Sequence, residues 1–145
     1  MNRLALRTLL PALLLAAAPA QASCDVQLQG VAFGVIDVTR REESTGSVRV
    51  TCDRPQAFNV EIGGGNVSGG QRRMQAAGAG FLRYELYADA GHTHVWGDGL
   101  TVGYPIGSAS DGSKAQTFTI YGVIPSQPGT LPGTYLDAPL VTLSF

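Results

Sequence analysis

Acid–base chemistry in this chain would have to run through two histidines, His92 and His94, which flank Thr93 with Asp89 and Asp98 nearby. On an extended backbone residues i and i+2 share a face, so both imidazoles could meet one metal ion. Gly91 and Gly97-Asp98-Gly99 surround them, and the plainer reading is a polar loop. Ser44, Ser47, Ser68, Ser108, Ser110 and Ser113 stand in turn-like or solvent-facing contexts, and none occupies a GxSxG elbow. The carboxylates are scattered. Glu42-Glu43 beside Arg40-Arg41 reads as a solvated loop, and a glycosidase-type pair would need folding to assemble it. The glycine-rich stretch 63–70 lacks GK[ST] and a following helix signal, so it reads as a β-turn loop rather than a phosphate cradle. Neither an enzyme nor a cofactor is expected.

Binding residues are easier to find. Arg72, Arg73, Trp96, Tyr104 and Tyr121 are of the types that dominate binding hot spots. A ligand-contact loop would use His92, His94, Trp96 and Tyr104, whereas the structural alternative has Trp96 capping one end of the fold. Asn66-Val67-Ser68 matches a glycosylation sequon, a pattern short enough to recur by chance.

Residues 1–22 read as a secretory signal peptide. Arg3 and Arg7 form a basic start, Leu9 to Ala18 a short apolar core, and Ala20-Gln21-Ala22 a small-x-small cleavage site. The run is too short to span a bilayer, and no later run is long enough. A lipoprotein reading would need an aliphatic residue where Gln21 stands. Residues 23–145 then form one exported domain. With Arg3 and Arg7 gone, acidic residues outnumber basic ones, and no basic stripe invites nucleic acid or an anionic membrane. Cys24 and Cys52, the only cysteines, are expected to form a disulfide in an oxidising compartment. Their spacing fits no CxxC site. On the chain-entropy view such a bridge contributes roughly 3–4 kcal/mol.

The elements that must position these residues have period two. Val26 and Leu28 open a strand that Gly30 interrupts and Val31 and Phe33 resume. Alternation returns at Val48–Cys52, Phe58–Ile62, Leu82–Leu86 and Phe118–Ile120, with glycine-rich turns between. Six or seven short strands with such punctuation predict an all-β antiparallel sandwich. The last stretch alternates Val141, Leu143 and Phe145 with Thr142 and Ser144, while Leu136, Ala138 and Leu140 hold the other parity. Pro139 at the change-over predicts a bulge or an edge. A core strand here would leave an uncovered edge, which is a pairing site.

Several blocks together resemble the spore coat protein U domain family. They are Val31-Ala32-Phe33-Gly34 with Asp37; Gly46 to Cys52; Arg73-Met74 with Leu82 to Asp89; Val95 to Gly99; Thr119 to Pro125; and Pro132 to Asp137 with Val141-Thr142-Leu143. The resemblance implies the subunit fold of archaic chaperone–usher pili, an immunoglobulin-like sandwich missing its last strand. It implies a periplasmic chaperone, an outer-membrane usher and a neighbouring pilus subunit as partners. A strand lent by another chain would add to the open edge, a form of β-augmentation. The expected groove residues are Leu136, Leu140, Val141, Leu143 and Phe145. Polymerising members carry an alternating donor segment before the first cysteine, whereas cleavage after Ala22 would leave Ser23 alone before Cys24. A strand-accepting place at a fibre end, tip or initiator, is the expectation. The alternative is a secreted or surface β-sandwich that binds a ligand without forming a fibre.

Overall fold

The computed structural model describes residues 22–145, so the signal peptide assigned to 1–22 lies outside the described residues except for Ala22. Among the described residues there are nine strands and no helix. They are β1 (Cys24–Gln29), β2 (Glu42–Cys52), β3 (Pro55–Gly64), β4 (Val67–Ser68), β5 (Gln71–Ala76), β6 (Gly80–Tyr87), β7 (Ile106–Asp111), β8 (Gln116–Ile124) and β9 (Pro139–Ser144). The larger sheet has the order β1-β2-β8-β6-β5-β4, the smaller β7-β3-β9, and every strand pairing is antiparallel.

Alternation explains the layering. Val48, Val50 and Cys52 of β2, Phe58, Val60 and Ile62 of β3, and Leu82, Tyr84 and Leu86 of β6 turn inward and are buried. Ile120 and Ile124 of β8 join them. Each fully buried aliphatic side chain contributes about 1.5–3 kcal/mol of hydrophobic stabilisation. The Phe58 and Trp96 rings each meet Phe118 edge-on at 6.3 Å. Cys24 and Cys52 stand directly opposite each other on β1 and β2 and form the expected disulfide, with S–S 2.04 Å.

The structure departs from the sequence pattern in four places. The first strand ends at Gln29; Val31 and Phe33 belong to a non-strand segment, 30–41, which leaves the sheet edge at Gly30. Glu42 and Glu43 open β2 instead of lying in a loop, and pair with Arg40 and Arg41 at 2.7 Å each. Stretch 63–70 is only half turn: Gly63 and Gly64 end β3 and Val67-Ser68 form β4, with Gly64 and Gly65 at φ 65° and 72°, values that favour glycine. The β7 strand is built from Gly, Ser and Ala around Ile106, a composition that hides its period.

Candidate functional site

The two edges of β3 end differently. Toward β7, pairing stops at Val60 opposite Ile106. Beyond that point Trp96 Nε1 donates to the Val60 carbonyl at 2.9 Å, and Ile62 N donates to the Gly97 carbonyl at 3.2 Å. Arg72 Nη2 donates to the Ile62 carbonyl at 2.5 Å and to the Trp96 carbonyl at 3.1 Å. A loop and a buried guanidinium thus finish that edge where the strand runs out.

On its other side β3 pairs with β9, from Asn59↔Ser144 to Gly64↔Pro139. Because the Ile62 N–H is turned toward Gly97, the opposed pair Ile62↔Val141 exchanges no ladder bonds. The backbone N–H and C=O of Val141 therefore point away from β3, and those of Leu143 follow by period two. Pro139, the third outward position, brings no N–H. Among the described residues nothing pairs with this outer edge.

Facing that edge across a gap runs the segment 30–38. Its Ala32 carbonyl accepts from Ser44 Oγ at 2.7 Å, and its Val38 carbonyl from Gln127 N at 2.7 Å. Between these tethers Phe33 to Ile36 make no backbone hydrogen bond to another described residue. The two unpaired segments wall a groove of about 870 Å³. Leu82, Tyr84, Leu86, Ile120 and Ile124 of the larger sheet and Ile62 of the smaller line it. One end is built by residues 130–138. Gln75 and Leu136 exchange backbone bonds of 2.8 and 3.0 Å there, and Tyr135 Oη donates to the Leu131 carbonyl at 2.8 Å. Asp137 accepts from Tyr84 Oη at 2.6 Å and from Asn66 N at 2.8 Å. Burial, then the bond to Asp137, pushes the Tyr84 phenol well above its ordinary value.

The structure divides the five residues expected at the groove. Leu136 and Val141 line it. Leu143 faces inward but packs against the core. Leu140 holds the opposite parity, turns to the outer face and is 66% exposed. Phe145 lies past the end of β9, beside Phe58 and Asn59 in a separate hollow of about 320 Å³. Sequence reasoning missed the opposite wall; the Val31, Phe33 alternation, ending at Gly34, was its signal.

The expected contact loop also divides. Trp96 is completely buried, its indole N–H spent on Val60, so it belongs to the core. His92, at φ 54°, packs edge-on against Tyr87 at 5.2 Å and Tyr121 at 6.3 Å, with Arg41 Nη2 2.8 Å from its Nδ1. The His94 side chain is exposed and lies beside Thr93 and Asp89. Among the described residues no group of three or more His, Cys, Asp or Glu could hold a metal ion. Asp89 accepts from His94 N and from Thr93 N and Oγ1, and these bonds lower its carboxyl to about 2. Asp98, held by Thr101 Oγ1 and by the N–H groups of Leu100, Thr101 and Val102, is also well below the usual carboxylate range. Leu100 and Tyr104 project from this loop, 92% and 78% exposed.

Comparison with known proteins agrees with this architecture. No curated protein matches the chain. A solved structure with a similar fold is the CsuC–CsuE chaperone–tip adhesion subunit pre-assembly complex from the archaic chaperone–usher Csu pili of Acinetobacter baumannii. The match has 19% identity and a TM-score of 0.64, covering 86% of this chain and 40% of that chain. The present chain thus spans about two fifths of the length of that relative. The Spore Coat Protein U domain model matches residues 10–142, nearly the whole sequence, and the chain belongs to the Spore Coat Protein U domain family.

Proposed function

We propose that this protein is a non-enzymatic subunit of a chaperone–usher surface fibre and that its groove accepts a strand from another chain. One observation carries the reading: an apolar groove runs between the unpaired edge of β9 and the unpaired segment 30–38. An entering strand would find the N–H groups of Val141 and Leu143 on one side and the backbone of Phe33 to Ile36 on the other. Alternate apolar side chains would fall onto Leu82, Leu86 and Ile120. The family and the fold of the Csu complex support this use of the groove. A periplasmic chaperone would fill it first, and a neighbouring subunit would replace the chaperone at an outer-membrane usher. A place at the end of the fibre is part of the proposal. It rests on cleavage after Ala22, which N-terminal sequencing of the exported protein checks.

Co-expression in the periplasm with a chaperone of this pathway tests the reading. A stable one-to-one complex that protects β9 amides from hydrogen exchange is expected. A lone monomer already fully protected over 139–144 sinks it.

The alternative, a ligand-binding surface domain, is favoured by the Leu100 and Tyr104 projection on a loop pinned by Asp98. Ligand binding lost in Leu100→Ala or Tyr104→Ala, with no chaperone complex formed, would select it.

A further inference from the structure

The wall of the groove is seated on two glycines. We infer that Gly46 and Gly122 are positioning residues that set the height of segment 30–38 over the larger sheet and so decide whether a strand can enter. This rests on the strand-accepting reading above. Both are interior strand residues on the inner face, at positions where β2 and β8 otherwise carry Val48, Val50, Ile120 and Ile124. Neither has the positive φ that would itself call for glycine. What they supply is space, the usual meaning of glycine inside a strand where another backbone approaches.

The contacts show what uses that space. A Cβ at Gly46 would lie 2.4 Å from the Gln29 carbonyl oxygen and 3.0 Å from both Gly30 C and Val31 Cγ2. One at Gly122 would lie 2.6 Å from Val31 Cγ1 and 2.8 Å from Phe33 Cζ. The chain leaves β1 at Gln29, crosses Gly46, and lays Val31 and Phe33 onto Gly122. Ser44 Oγ then tethers Ala32, completing the seat. Any side chain at these two positions lifts the wall. At Gly46 the obstacle is backbone, which cannot rotate away. At Gly122 it is two side-chain tips, so Gly122→Ala shifts the wall at the smaller cost to folding.

The test is capture of a labelled synthetic peptide of about ten residues, alternating valine and threonine, followed by fluorescence anisotropy. Wild type is expected to capture it, and Gly122→Ala to weaken capture about tenfold or more. Val31→Ala/Phe33→Ala/Gly122→Ala, which removes both obstacles, is expected to match Val31→Ala/Phe33→Ala. Wild-type affinity in Gly122→Ala, or a triple variant weaker than Val31→Ala/Phe33→Ala, overturns the inference. The second comparison holds even if Gly122→Ala does not fold. Failure of wild type to capture any strand removes the strand-accepting reading itself, a separate result.

Discussion

Tyr84 and Asp137 meet across one end of the groove, the phenol donating to Oδ2 at 2.6 Å. The bond ties the middle of β6 to the approach to β9, so the larger sheet holds the strand that carries the open edge. Asp137 Oδ1 also accepts Asn66 N, which fixes the turn after β3.

Tyr84→Phe is expected to lower stability by about 1.5–3 kcal/mol, the range for a hydrogen bond to a charged group. Asp137→Ala should cost more, because it also releases Asn66. Urea unfolding measures both. In wild type the raised Tyr84 value favours the neutral phenol in the fold, so its contribution is complete below the ordinary value of 10.0 and fades as pH rises beyond it. Spectrophotometric titration should show an ionisation above the ordinary value of 10.0 in wild type that is missing in Tyr84→Phe.

Arg72 predicts a larger loss. Its guanidinium is fully buried, bonds the Ile62 and Trp96 carbonyls, and lies 3.4 Å from Glu85. Arg72→Met should cost about 3–5 kcal/mol, because Glu85 loses its opposite charge and both carbonyls lose their donor. Arg72→Met/Glu85→Leu should recover part of that, and a double-mutant cycle by denaturant unfolding checks the coupling.

The groove separates neighbouring residues of β9. Val141→Glu puts a charge among Leu86, Ile62 and Ile120 and should abolish recovery of the chaperone complex. Leu140→Glu, on the outer face, should leave that yield near wild type. Pull-down yields of the two variants decide whether parity along β9 has this meaning.

Cys24→Ser or Cys52→Ser should lower stability by about 2–5 kcal/mol under oxidising conditions. Thermal melts with and without reductant test it, and reductant should shift wild type toward the variants.

The 89–102 loops should loosen in acid. Folding lowers the Asp89 and Asp98 carboxyls below the ordinary 3.8, so their contribution is present above that value and is lost as pH falls through their folded values, about 2 for Asp89. Asp98→Asn should release Thr101 and Val102 already at neutral pH, read as faster amide exchange there.

Most of the sandwich was legible because strand burial has period two. Val48–Cys52, Phe58–Ile62, Leu82–Leu86 and Val141–Leu143 state their inner faces in the order of residues, and two cysteines in an exported chain state their bridge. Signals failed where the period carries no apolar contrast, as in Ser- and Ala-rich β7, or where a residue's meaning depends on what lies above it. Trp96 read either as a contact residue or as a cap on one end of the fold; that its indole completes an edge of β3 is revealed only by the register with β7.

By itself, then, the sequence determined the layers and the disulfide, because alternation and thiol chemistry are local. Only the tertiary structure decided which residues frame the groove. Its walls, β9 and segment 30–38, lie about a hundred residues apart in the chain. They face each other because Gly46 and Gly122 leave room for the crossing and because Tyr84 and Asp137 hold β9 to the sheet below.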